Sequence, residues 1–145
     1  MTQINRSALL PYPAREVYKL VNDIEQYPQF MDGCVGAEVL SAKDDIIEAR
    51  LDLAKAGISH SFTTRNVLAE PESIRMELVD GPFDYFSGSW QFQALGESAC
   101  KVSLEMDFSF SSKLLGVAGA RLFEVVSNNL VDALCKRAAK MLEEA

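Results

Sequence analysis

The sequence predicts an α+β fold in which a curved antiparallel sheet of six to seven strands wraps around one long C-terminal helix. Three observations carry this. Between Val35 and Ser111 apolar and polar residues alternate with a period of two, interrupted by short turn signals. From Lys113 to Glu144 the period becomes that of a helix, and no proline intervenes. Each strand then has one apolar face and the terminal helix one apolar stripe, so packing one on the other covers both.

Taken in order, Thr2 to Leu10 reads as a first strand, ended by Pro11 and Pro13. Pro13 suits the first turn of a helix, where its missing N–H costs nothing. Val17, Leu20, Val21 and Ile24 follow at helical spacing until Pro28 breaks the pattern, so Ala14 to Tyr27 is expected to be a helix plus a short second turn. Asp32-Gly33 is a turn signal.

The strand around Ile46 to Ala54 places Ile47, Ala49, Leu51 and Leu53 on one face and Glu48, Arg50 and Asp52 on the other. A strand near Ile58 to Leu68 puts Ile58, His60, Phe62, Thr64, Asn66 and Leu68 together. Ile74, Met76 and Leu78 alternate with Arg75 and Glu77. Phe86, Gly88, Trp90 and Phe92 share a face, as do Val102, Leu104, Met106, Phe108 and Phe110. The turn signals are Lys43-Asp44-Asp45, Ala56-Gly57, Glu70-Pro71-Glu72, Asp80-Gly81-Pro82 and Gly96-Glu97-Ser98, short enough to imply a meander. In the last segment Leu115, Ala118, Leu122, Val126, Leu130, Ala133, Leu134 and Met141 form the stripe of a helix on the order of 45 Å long. No repeat, low-complexity tract or linker interrupts the chain, so a single domain over 1–145 is expected.

The net charge of −7 and the lack of an obvious basic patch argue against a protein that grips a polyanion, whether DNA or an extensive stretch of ribosomal RNA. The densest basic run, Lys136-Arg137 with Lys140, falls in the last turns of the helix, where cations complement its dipole. Cys34, Cys100 and Cys135 are odd in number and far apart, and His60 is the only histidine, so neither a disulfide framework nor a zinc site is expected. The N-terminus lacks a continuous apolar core, and no run of about 18 apolar residues occurs. The expectation is a cytoplasmic protein.

Several candidate site residues follow. Leu51, Leu53, Phe62, Met76, Leu78, Phe86, Trp90, Phe92, Met106 and Phe108 on the sheet, with Leu122 and Val126 on the helix, are either ordinary core or the lining of a cavity that the helix does not fill. Small residues on the helix stripe (Ala118, Gly119, Ala133) favour a cavity. Thr64 and Asn66 are polar members of the inner face. They either bond to neighbours or donate to a polar group of a ligand. Tyr27, Pro28 and Phe30 are either packing at a helix end or an apolar lid at the entrance. Leu114, Leu115, Val117, Leu122 and Phe123 are either a helix start buried all round or an apolar lip for transient contact with the inner membrane. A lone histidine without a placed partner is thin ground for catalysis, and Glu48, Asp52, Glu105 and Asp107 lie on the wet strand faces.

Three further features appear in order along the chain: Tyr27-Pro28-x-Phe30 after the first helix, Gly81-Pro82-Phe83 before a strand with Gly88-Ser89-Trp90-Gln91-Phe92, and Cys100-Lys101-Val102 opening a strand that ends in Phe108-Ser109-Phe110. With the element order, this resembles the coenzyme Q-binding START-domain family of the polyketide cyclase/dehydrase-like, helix-grip (START / Bet v 1-like) superfamily. It is most similar to the bacterial branch, described both as ubiquinone-binding proteins and as ribosome association toxins. One departure is plain: the family has a tryptophan just before the cysteine, where this chain has Asp32-Gly33 before Cys34. The resemblance implies a tunnel between sheet and helix that binds ubiquinone or a related isoprenoid lipid, without catalysis or other cofactor, in support of respiration. The leading expectation is therefore lipid binding; the alternative that the resemblance also implies is binding the large ribosomal subunit and blocking subunit joining. The wider superfamily adds cyclases and dehydratases.

Overall fold

The period-two alternation is realised in seven antiparallel strands. The structure is a computed structural model that describes residues 2–55, 57–111 and 116–143, with the backbone alone at 116–118 and 143. The strands are β1 (Thr2–Leu10), β2 (Cys34–Lys43), β3 (Ile46–Lys55), β4 (Ile58–Ala69), β5 (Ser73–Asp80), β6 (Phe83–Ala94) and β7 (Cys100–Phe110). Their order across the sheet is β1-β7-β6-β5-β4-β3-β2, so β2 to β7 run as a meander and β1 closes onto β7. Hairpin connections between sequence neighbours explain that order.

One face of the sheet is covered and the other is wet. On the wet face opposite charges meet across strands, as in Arg65–Glu48 at 3.2 Å and Arg50–Glu38 at 3.0 Å. Such exposed pairs contribute little to stability. Register slips occur between Cys34 and Gly36, Val39 and Ser41, Thr63 and Thr64, and Phe83 and Tyr85. Bulges of this kind bend a strand and increase its twist. The slip in β6 has a direct packing result: Phe83 and Phe86, three residues apart, are both buried, and Tyr85 between them is exposed.

Helix α1 (Ala14–Asn22) starts on the Pro13 carbonyl, which accepts from the N–H groups of Glu16 and Val17. It buries Ala14, Val17, Tyr18 and Val21 against β6 and β7. A 3-10 helix, Ile24–Gln29, follows with Pro28 inside it, matching the expected short second turn.

The single long helix expected over Lys113–Glu144 is instead two, α2 (Gly116–Asn128) and α3 (Leu130–Glu143). Helical bonding continues on both sides of the break, from Asn129 N–H to the Val125 carbonyl and from Ala133 N–H to the Asn129 carbonyl. At the break stand Ser127-Asn128-Asn129, short polar residues of low helix propensity, and Asn128 Oδ1 accepts from Arg6 of the distant strand β1 at 3.3 Å. Helix α2 packs on β3, β4 and β1, and α3 on β1 and α1. Lys113, Leu114, Leu115, the side chains of Val117 and Ala118, and Ala56 of the β3–β4 turn lie outside the described residues. Among the described residues no helix is long and apolar enough to cross a membrane.

Candidate functional site

The space between sheet and helices is filled at one end by aromatic rings. Phe123 of α2 lies with its ring centre 4.9 Å from Phe108, 5.0 Å from Phe83 and 5.4 Å from Phe62, all edge-on. Phe86 and Phe110 complete the cluster at 6.3 and 5.8 Å. Leu122 and Phe123 are buried, so neither belongs to an exposed lip; Leu114, Leu115 and Val117 of that expected lip lie outside what is described.

Beyond this cluster the packing opens into a cavity of about 60 Å³. Phe62, Phe86 and Phe123 form its floor. β3 and β4 supply Leu51, Leu53, Thr64 and Asn66, and β5 to β7 supply Met76, Trp90 and Met106. Val126 closes it from α2, and Tyr27 forms a side wall. Of the residues predicted as lining, these ten (Leu51, Leu53, Phe62, Thr64, Asn66, Met76, Phe86, Trp90, Met106, Val126) come together around one space, with Tyr27.

The others are placed elsewhere, for identifiable reasons. Phe108 belongs to the aromatic cluster. Phe92 is turned to α1, edge-on to Tyr18 at 5.2 Å. Leu78 lies past the point where β5 and β6 stop pairing, at Glu77 and Ser87. Leu122 faces the loop at Gly33. Pro28 is exposed and Phe30 borders an outer groove, so the Tyr27-Pro28-Phe30 segment is not a lid as a unit. Of the helix's small-residue stripe, Ala133 borders that outer groove, and the side chain of Ala118 lies outside the described residues.

Sequence reasoning missed Asn22, Ile24 and Met31, which come from the end of α1, the 3-10 helix and the loop after it, and Ser127 and Leu130 beside the helix break. Asn22 and Ser127 lie off the apolar stripes of their helices, with no periodic signal to place them inward. Ala49 and Ile74 were on the correct face but not singled out.

The wall is apolar with one polar quarter. Thr64 donates to Asn66 Oδ1 at 2.9 Å, and both are buried. Asn22 Oδ1 is buried without a hydrogen-bond partner. Ser127 is 4% exposed. No Asp, Glu, His, Lys, Arg or Cys side chain among the described residues lines the cavity. Its one titratable group, Tyr27, donates to the Val21 carbonyl, and burial pushes its pKa well above the ordinary tyrosine range.

His60 stands outside the cavity, 6.4 Å from Phe123 between ring centres. Burial lowers its pKa, the Gly119 carbonyl pulls the other way, and neither ring nitrogen has a well-formed hydrogen bond. Among the described residues no three His, Cys, Asp or Glu side chains come close enough to hold a metal.

The loop after the 3-10 helix forms the thinnest part of the wall. Gly33 takes φ +93°, and a Cβ there would lie 2.7 Å from Val126 Cγ2. A tryptophan at this position would meet both obstacles. Asp32 bonds Lys55 at 2.7 Å, which holds its carboxyl below the usual carboxylate range. Met31 and Val126 border the cavity on one side and, on the other, a surface groove of about 370 Å³ between this loop and α3.

Comparison with known proteins gives a consistent picture. Residues 10–135 match the family described as polyketide cyclase / dehydrase and lipid transport. The chain is 45% identical to the ribosome association toxin RatA of Escherichia coli K12, over 97% of this chain and 89% of that one. It is 22% identical to the mitochondrial coenzyme Q-binding protein COQ10 of Drosophila melanogaster, over 88% of this chain and 54% of that one. Among solved structures, the Zhui aromatase/cyclase from Streptomyces sp. R1128 superposes with a TM-score of 0.80 at 20% identity, covering 97% and 95% of the two chains. A START superfamily protein from Mycobacterium smegmatis gives 0.79 at 22%, covering 96% and 98%. The helix-grip arrangement is shared with both. With the family model spanning most of its length and the sheet, helices and cavity in place, the chain belongs to the polyketide cyclase/dehydrase and lipid transport family.

Proposed function

We propose that this chain is a non-enzymatic regulator that associates with the ribosome, through the large subunit, and that carries an apolar ligand-binding cavity inside its fold. The observation that carries the first half is the 45% identity, over nearly the whole chain, to a protein named for ribosome association. The quinone-binding function that the sequence also suggested has weaker support, a relative at 22% identity. Among the described residues around the cavity the one titratable side chain, Tyr27, is already engaged by the Val21 carbonyl, which supports binding over turnover, although structural neighbours include cyclases. Sedimentation of the purified protein with large ribosomal subunits through a gradient at moderate salt is the test. Comigration is expected, and protein left at the top of the gradient would overturn the reading.

A second reading, an isoprenoid quinone or related lipid in the cavity, is favoured by the polar quarter. A buried acceptor without a partner, as at Asn22, costs roughly 1–3 kcal/mol, which the hydroxyl of a reduced quinol would relieve and a quinone carbonyl would not. The Asn66 amide adds a donor suited to a carbonyl oxygen. At about 60 Å³ the space is well below the roughly 300–1,000 Å³ of a typical small-molecule pocket. A ring with a prenyl tail therefore enters only if the surrounding packing opens. Organic extraction of the purified protein followed by mass spectrometry, with Trp90 fluorescence on adding a short-chain ubiquinone, tests this. No copurifying lipid and no saturable change would remove the reading.

A further inference from the structure

The groove between the 29–32 loop and α3 has the chemistry of an RNA site. Positions 132, 133, 136, 137 and 140 of α3 share one helical face and line it. That face brings Lys136, Arg137 and Lys140 to one side of the groove, opposite Phe30 and Asp32. The Arg137 guanidinium lies over the Phe30 ring at 5.3 Å and donates to Gln29 Oε1 at 3.1 Å, so it is held in place.

What sets this cluster apart is convergence. Elsewhere Lys19, Arg50, Lys55, Arg65 and Arg75 each pair with a carboxylate. Arg6, Arg15, Lys43, Lys101 and Arg121 also show no ion pair among the described residues, but they stand one each on five different elements. Among the described residues Lys136, Arg137 and Lys140 pair with none, although Asp132 stands one turn before Lys136 and borders the same groove. The other acid there, Asp32, is already engaged by Lys55. A helix dipole asks for cations near the C-terminus, but it does not ask that they converge on a concave surface with a stacked aromatic. Cations converging around an aromatic–guanidinium stack are what single-stranded or loop RNA uses: phosphates on the lysines, a base on the planar groups.

We propose that this groove is the surface through which the chain engages ribosomal RNA, with Lys136 and Lys140 on phosphates and Arg137 and Phe30 as the stacking platform. This rests on the ribosome-association reading and names its binding surface.

The test uses the full chain and two probes, purified large ribosomal subunits and the protein-free RNA extracted from them, each titrated between about 50 and about 200 mM salt. Lys136→Gln/Lys140→Gln is expected to weaken binding to both probes tenfold or more. It should also flatten the log–log salt dependence by about 1.4, at ~0.7 for each phosphate no longer neutralised. Both side chains are exposed, so circular dichroism should not change. Lys43→Gln/Lys101→Gln, exposed and outside the groove, removes the same charge and should leave binding unaltered. Arg137→Lys keeps the charge, loses the stack, and should weaken binding by a smaller factor. If the lysine pair binds like the native protein, or no worse than the control pair, the groove is not the site. If the native protein binds subunits but not their RNA, the partner is a ribosomal protein and the RNA assignment fails while ribosome association stands. Binding to RNA with none to subunits would keep the groove and remove ribosome association, and binding to neither would remove both.

Discussion

The two ends of the space between sheet and helices are built from the same strands and differ in kind. On β4, Phe62 meets the aromatic cluster, and the next inward residues, Thr64 and Asn66, are polar and border the cavity. On β7, Phe108 sits in the cluster and Met106 beside the cavity. The filled end gains on the order of 0.5–1.5 kcal/mol per favourable ring pair beyond area burial, and these pairs converge on one residue of α2. The hollow end leaves an amide oxygen without a partner. The difference teaches how a fold keeps a cavity. One end holds the helix at a fixed place, and the other does not need to collapse to keep it there.

Phe123→Ala attacks the filled end and should have the largest effect, a loss of roughly 3–5 kcal/mol in urea unfolding. A loss below about 1 kcal/mol would show that the cluster does not hold α2, and the contrast between the ends would fall. Gly33→Ala tests the rim of the hollow end. The left-handed backbone and the close approach to Val126 should together cost about 1–3 kcal/mol. Adding Val126→Ala should recover part of that, measured as a coupling in a double-mutant cycle.

Replacing the polar pair by Thr64→Val/Asn66→Leu should change stability by less than about 1 kcal/mol, because donor and acceptor go together. If the cavity orients a polar head group, the same pair should weaken binding of a short-chain ubiquinone about tenfold, read by Trp90 fluorescence; each hydrogen bond removed is worth ~1 kcal/mol. Unchanged affinity would make those residues mere packing.

The smallest expected effect is on pH dependence. His60 has a lowered pKa in the folded protein, so the unfolded chain takes up a proton first as the pH falls. Its contribution is present above the unfolded value of about 6.5 and is lost below it, toward the lower folded value. The melting temperature should therefore decline slightly from about pH 7 to about pH 5, and His60→Leu should flatten the decline.

Most of the fold was legible because alternation fixes which face a residue takes. It does not fix how far along the strand the residue sits relative to a helix crossing above. That is why Leu78, Phe92 and Phe108 were expected around the cavity and lie at its margins or beyond. A bulge is equally invisible to strict alternation, and so Phe83, out of phase with Phe86, was noted only in the Gly81-Pro82-Phe83 motif and not as inner-face packing, although it packs against Phe123. The break in the C-terminal helix was masked by an apolar stripe that continues through it, from Val126 to Leu130 and Leu134, all packed in the core. What signalled the break was the run Ser127-Asn128-Asn129, whose meaning depended on Arg6 reaching Asn128 from a distant strand. Asn22 illustrates the remaining gap: a polar residue at a helix end looks like a cap until the surroundings show it buried.

Met31 and Val126 each belong to two surfaces, the inner cavity and the outer groove. A change in the size of either side chain reshapes both at once. Variation at these positions is therefore pleiotropic by construction. In a mutational scan scored separately for small-molecule capture and for engagement of a large partner, most positions would register on one axis, and these two would register on both.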